Sequence, residues 1–287
     1  MEMRNRWTSC ALALALLVAA CGGEAARQEA SATKEAPPAE GPNVVEFRTH
    51  EYQFDGPASV PAGPTTIRLV NEGKELHHLY LVRLEEGKTL KDLMGAFAAG
   101  GPPPAWAVDA GGPSAAMPGA TIGASMELKP GHYAVLCVIP AADGQPHVMK
   151  GMVRELTVGE ATGTPRALPA ADIVMTLDDY SFTTDKPITA GRHTIRVENK
   201  AAQAHEMVLV KLEPGKTAED FARFAEKPAG PPPGVVLDGV AGLAHGEMNE
   251  VTVDFQPGEY ALLCFFPDAK DGKPHVVHGM ARQFTVS

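Results

Sequence analysis

Two short segments carry residue types suited to soft-metal chemistry. YAVLCVIPAADGQPHVMKGM, Tyr133 to Met152, holds Cys137, His147 and Met152 in the spacing Cys-x9-His-x4-Met. YALLCFFPDAKDGKPHVVHGM, Tyr260 to Met280, holds Cys264, His275 and Met280 as Cys-x10-His-x4-Met. A thiolate, an imidazole and a thioether delivered by one loop suit copper; zinc gives no reason for the methionine. A trigonal copper site needs a second imidazole, which must come from another strand. The candidates are His205 in NKAAQAHEMVLVKL, six residues after Asn199, and His77 in NEGKELHHLYLVRL, six after Asn71. Alignment of the two stretches selects His77 over His78. The expected metal ligands are therefore His77, Cys137, His147 and Met152, and again His205, Cys264, His275 and Met280, with copper as the cofactor.

Each of these residues alone has a plainer reading. The cysteines could be buried small hydrophobes, the histidines internal hydrogen-bonders and the methionines core fillers. Their recurrence in ligand order favours the metal. His278 aligns with Lys150 and reads as a solvated loop residue, and His50, His132, His193 and His245 have no counterpart in the other copy.

The elements that must position these residues are also written twice. EYQFDGPASVPAGPTTIRLVNEG parallels DYSFTTDKPITAGRHTIRVENKA, and LKPGHYAVLC parallels FQPGEYALLC. Copies of over a hundred residues indicate tandem domains, since solenoid repeats are much shorter. The expected organisation is a first domain over 44–159, a linker over 160–171 with Pro, Gly and Thr, and a second domain over 172–287. Short strands such as Thr66–Val70 and Thr194–Val197, bounded by turn residues, predict an all-β fold. One helix is expected per copy. Thr89 with Asp92, and Thr217 with Asp220, have capping spacing, and Leu90, Leu93, Met94 and Phe97 mark the buried face of the first. The fold class is all-β: two tandem Greek-key β-sandwiches, each with a short helical insertion.

Residues 1–20 read as an export signal: Arg4 and Arg6 precede an apolar run too short to span a bilayer. The run ends in LVAAC, which resembles the lipobox of bacterial lipoproteins and implies a lipid on Cys21, with residues 21–43 as a flexible tether. Gly22 after that cysteine implies outer-membrane sorting. The expected location is the periplasmic face of a bacterial membrane, with the lipid as the only anchor. Formal charge is −10, and loss of residues 1–20 makes the chain one unit more negative. Such acidity argues against nucleic-acid binding and favours cationic partners. After Cys10 and Cys21 only Cys137 and Cys264 remain. Equivalent points of separate domains rarely lie within bridging distance, so no disulfide is expected.

With these motifs in view, the chain resembles a pair of cupredoxins, the plastocyanin and azurin superfamily. YALLC…PHVVHGMARQFTV is similar to that family's ending, and NKAAQAHEMVLV to its first-ligand strand. The closing loop is similar to that of the blue-copper domain in copper nitrite reductases. The resemblance implies electron transfer through two type 1 copper centres. There are departures: the Cys-to-His loop is longer than in small electron carriers. The family's usual Asn after the first histidine, which braces the cysteine loop, is replaced by His78 and Glu206. Nitrite reductases place a catalytic-copper histidine directly before the cysteine, and multicopper oxidases carry His-x-His pairs. Here the cysteine neighbours are Leu136, Val138, Leu263 and Phe265, and no His-x-His occurs, so no enzyme is expected. Two other functions fit the residues: copper buffering or delivery, and a metal-free binding module. The expected partner is a redox or copper-exchange protein.

Overall fold

The computed structural model describes residues 40–100, 103–163 and 166–287. The expected signal, Cys21 and nearly all of the tether lie outside the described residues. The first repeat contributes β1 (Asn43–His50), β2 (Gln53–Asp55), β3 (Ser59–Pro61), β4 (Gly63–Asn71), β5 (Tyr80–Leu84), helix α1 (Leu90–Ala99), β6 (Ala107–Gly111), β7 (Thr121–Leu128), β8 (Gly131–Leu136) and β9 (Val153–Gly159). From the second come β10 (Ile173–Asp178), β11 (Ser181–Thr184), β12 (Gly191–Asn199), β13 (His205–Leu212), helix α2 (Ala218–Glu226), β14 (Gly234–Leu243), β15 (Met248–Phe255), β16 (Gly258–Leu263) and β17 (Ala281–Val286).

These strands form two sheets, and each sheet runs through both repeats. The 8-stranded sheet has the order β11-β10-β12-β15-β7-β4-β1-β2, and the 9-stranded sheet β17-β16-β13-β14-β6-β5-β8-β9-β3. The expectation of two tandem Greek-key sandwiches is corrected here, because neither repeat closes on itself. β15 pairs with β7 (Glu250 with Ser125, Val251 with Ala124), and β14 with β6 at Leu243 and Ala110. Residues 39–287 cluster as one compact unit. An open strand edge leaves N–H and C=O groups unpaired, and each repeat's edge is satisfied by the other's. The pairings are mainly antiparallel, and the parallel ones are β1 with β4, β10 with β12 and β3 with β9. The extended architecture is therefore that of two broad sheets, not of parallel coils stacked turn upon turn, because stacking coils would make parallel pairing the rule.

One apolar core lies between the sheets. β4 alternates buried and partly exposed positions, the period-2 pattern of a strand with one face inward. Ile67 and Leu69 from that strand join Leu81, Val135, Met175, Val197 and Tyr260 in a single cluster that spans both repeats. Satellite clusters lie under the two helices. Thr89 Oγ1 accepts the Asp92 N–H and the Asp92 carboxylate accepts the Thr89 N–H, a reciprocal cap repeated by Thr217 and Asp220. Leu93 is buried under α1 and Phe221 under α2, but Phe97, expected on the buried face, is exposed. No described helix is long and apolar enough to cross a membrane.

Candidate metal centres

Each cysteine sits one residue beyond a strand, Cys137 after β8 and Cys264 after β16. The loop that follows is tied back by backbone hydrogen bonds. Val148 N–H donates to the Cys137 carbonyl (2.7 Å), His147 N–H to Ile139 (2.9 Å), and Cys137 N–H to Met152 (3.2 Å). Val276 to Cys264 (2.8 Å), His275 to Phe266 (2.9 Å) and Cys264 to Met280 (3.3 Å) repeat the pattern. The histidine opens a one-turn 3₁₀ helix that ends at Gly151 or Gly279, each at positive φ, and the chain then enters the final strand.

The second imidazole arrives beside it: His205 opens β13, the strand next to β16, and His77 lies three residues before β5, the strand next to β8. Asn71 and Asn199 hold the approach: the Asn71 side-chain amide donates to Glu75 and Ala116 carbonyls, and that of Asn199 to Gln203 and Leu243. Gly112 and Gly239 let the adjacent strand pass close behind. A Cβ at Gly112 would lie 2.2 Å from the Leu79 carbonyl oxygen, and one at Gly239 2.0 Å from that of Met207. Both carbonyls are two residues beyond the imidazole concerned.

The result is two buried sets of convergent donors, His77–Cys137–His147 and His205–Cys264–His275, with all ligand atoms of a set within 4.8 Å of one another. Cys137 Sγ lies 3.4 Å from His147 Nδ1, and His77 Nδ1 lies 3.1 Å from His147 Nδ1. Cys264 Sγ lies 3.3 Å from His275 Nδ1 and 3.9 Å from His205 Nδ1. A first-row ion at about 2.0–2.1 Å from imidazole and about 2.3 Å from thiolate spaces trigonal donors roughly 3.5–3.8 Å apart, close to these separations. Among the described residues there are therefore two buried His/Cys clusters with the capacity to bind metal. Met152 and Met280 are fully buried, in the same apolar cluster as the cysteines.

Every imidazole turns Nδ1 inward and Nε2 toward a carboxylate. His147 Nε2 is 2.9 Å from Glu75 and His205 Nε2 is 3.2 Å from Asp179. His275 Nε2 lies 3.7 Å from Asp268, and His77 Nε2 4.0 Å from Glu51. Glu75 and Asp179 hold the proton on the outer nitrogens of His147 and His205 and leave Nδ1 as the free donor there, whereas the outer nitrogens of His77 and His275 have no hydrogen-bond partner among the described residues. Burial, followed by the charge of the neighbouring imidazole, lowers both His77 and His275 to about 4, so both rings are neutral donors at pH 7. Without a cation, burial pushes the Cys137 thiol up to about 12 and Cys264 well above its ordinary value. Only a bound cation would make these buried thiols into thiolates.

The residues in place of the expected Asn still brace the cysteine loops. His78 N–H reaches Cys137 Sγ (3.5 Å), and its Nε2 accepts Val138 N–H (3.4 Å). Glu206 N–H reaches Cys264 Sγ (3.4 Å), and its carboxylate accepts Phe265 N–H (2.8 Å). The sequence reading missed the carboxylates and Tyr52 and Tyr180, whose rings lie 5.0 Å from His147 and 5.6 Å from His275. A signal was available: Glu51-Tyr52 and Asp179-Tyr180 are the same pair in the two copies. Cys137 and Cys264 are both free and buried. His278 meets Asp271 at 3.2 Å, as Lys150 meets Asp143 at 2.5 Å.

No protein-family model and no curated protein matches the chain. Among solved structures, it is similar to a dithionite-reduced auracyanin from Roseiflexus castenholzii, at 25% identity over 42% of this chain and 98% of that one, with a TM-score of 0.28. Auracyanin A, a "blue" copper protein from Chloroflexus aurantiacus, matches at 22% identity over 42% and 100%, with a TM-score of 0.30. The copper-containing nitrite reductase from Thermus scotoductus matches at 14% over 87% and 62%, with a TM-score of 0.24. These scores are too low to carry an argument. The expected pair of cupredoxins, with its blue-copper identity, is corrected by the topology, in which both sheets run through the two repeats. The metal reading rests on the donor sets themselves.

Proposed function

We propose that the protein carries electrons through two mononuclear, thiolate-ligated copper centres. The observation that supports this is the repeated set of two buried imidazoles and one buried cysteine with converging donor atoms. His77, Cys137, His147 and Met152 would hold one ion, and His205, Cys264, His275 and Met280 the other. Bound copper supplies a one-electron couple; the protein fixes its donors so that little rearrangement accompanies the change of charge. Ligands with no exposed surface favour electron transfer over copper delivery, which needs a donor that a partner can reach. Four protein donors per ion leave no open position for a substrate, so the reading is a carrier and not an enzyme. The partner is a redox protein with a cationic face, matched to an acidic chain whose imidazoles are backed by carboxylates. The proposed place of work is the periplasmic face of a membrane.

The test is copper loading of the full chain, then dialysis, metal analysis and visible spectroscopy. Two ions per chain and an intense thiolate-to-copper absorption are expected. Cys137→Ser and Cys264→Ser should each remove one ion's share of it. Retention of copper without that absorption would point to storage, and loss of all copper on dialysis would end the reading.

A further inference from the structure

The two repeats match closely around their donors but differ at the seam between them. One residue beyond the first imidazole stand His78 and Glu206, and three beyond it Tyr80 and Val208. Two beyond the cysteine stand Ile139 and Phe266. All the aromatic members of these pairs fall on one line. His78 donates its backbone N–H to Cys137 Sγ. Its ring meets Tyr80 edge to face, with centroids 6.0 Å apart at 86°, and Tyr80 meets Phe266 at 6.3 Å and 89°. Phe266 lies two residues beyond Cys264, and its carbonyl accepts the His275 N–H at 2.9 Å. The line thus begins on the Cys137 sulfur and ends on the backbone carbonyl that accepts the N–H of His275, a donor of the other set. His78 and Tyr80 are buried, and Phe266 is half-buried, its ring packed where a Cβ at Gly242 would come within 2.3 Å. The Tyr80 hydroxyl donates to the buried Asp109 carboxylate, which fixes the ring's orientation toward both neighbours.

We propose that His78, Tyr80 and Phe266 form an internal electron route joining the two centres, so that one chain passes an electron between its own metals. This rests on the reading of both centres as copper. One electron leaves the reduced ion at one centre and arrives at the oxidised ion at the other. No bond is made or broken and no further reactant is required. The symmetry-related positions Glu206, Val208 and Ile139 supply no rings, so there is one such route and not two. It runs between the first-imidazole segment of the first repeat and the cysteine loop of the second.

The experiment uses full-length protein with both sites loaded, in a Met280→Leu background that separates the two potentials. A pulse delivers less than one electron per chain, and redistribution between the centres is followed optically. Tyr80→Leu and Phe266→Leu should each slow it by at least about tenfold, an added barrier of about 1.4 kcal/mol, while Tyr80→Phe keeps it within about twofold. Copper content and both potentials should stay at the background values. In the diamagnetic Cu(I) form of the unaltered protein, ring-proton cross-relaxation between Tyr80 and Phe266 should report the contact without any electron transfer. Unchanged rates in both leucine variants, or no ring-to-ring signal, would overturn the route while leaving two working centres. Failure to hold two copper ions would overturn the functional reading and the route with it.

Discussion

Metal removal should cost this protein stability in two equal steps. Each donor set is assembled by tertiary structure: in both centres the cysteine and one imidazole come from a single loop, and the other imidazole from a separate segment, His205 at the start of β13 and His77 just before β5. The unfolded chain has no such site, so binding adds directly to folding stability. At a free metal concentration one hundred times the dissociation constant, each site contributes about 2.7 kcal/mol. For a body of this size, 1 kcal/mol moves the melting temperature by roughly 2–4 °C, so each site is worth roughly 5–11 °C. The assay is calorimetry in metal-buffered solution, with every variant compared with its own metal-free form. Cys137→Ser and Cys264→Ser should each halve the metal-induced shift, and the double variant should show none. A full shift surviving in the double variant would place the metal elsewhere and refute the argument.

Glu75→Gln removes the carboxylate behind His147 Nε2 and should weaken metal at the first centre by about ten- to a hundredfold, read by competition with a chelator, with the second centre unchanged. Burial raises the Asp238 carboxyl to about 8, against 3.8 in the unfolded chain, so the folded state holds the extra proton between those values. Stability should therefore fall as pH rises through that window, by at most about 1.4 kcal/mol per unit, and Asp238→Asn should flatten the profile. Denaturant midpoints from pH 4 to 9 would show it, and parallel profiles would contradict it. Gly239→Ala sets a Cβ against the Met207 carbonyl at a positive φ and should cost more than about 3 kcal/mol in thermal unfolding. Asn249→Ala strips the buried Gly112 N–H of its acceptor at 2.8 Å and should cost about 1–3 kcal/mol by denaturant titration, with metal content unaffected.

Signals contained within a few residues were legible. Thr89 and Asp92 mark a helix start because both halves of the cap lie within one turn. Cys137 and His147 meet because one loop carries both. Repeat alignment was enough to prefer His77 over His78. What lies between the repeats was hidden, because strand periodicity says which face of β7 or β14 is apolar and nothing about which edge it meets. Asn249 looks like any polar strand residue until Gly112 of the other repeat is placed against it. Likewise, nothing in the sequence singles out Glu75 and Asp268, since their place beside the imidazoles exists only after folding. Phe97 failed as well: helical spacing assigned it to the apolar face, but in α1 Leu93 is buried and Phe97 is exposed.

The seam also has a symmetry of its own. β7 and β15 occupy equivalent places in their repeats, as do β6 and β14, and each pair runs antiparallel. Equivalent edges meeting antiparallel are the arrangement that two identical subunits adopt around a twofold axis, where one surface serves as its own partner. A single repeat made alone would carry that self-complementary edge, and a second copy of itself is the surface that fits it. Joining the copies in one chain makes their meeting intramolecular and independent of protein concentration. It also frees the halves to diverge, as Tyr80 opposite Val208 and Phe266 opposite Ile139 show. An exact twofold dimer could not hold one such line without holding two.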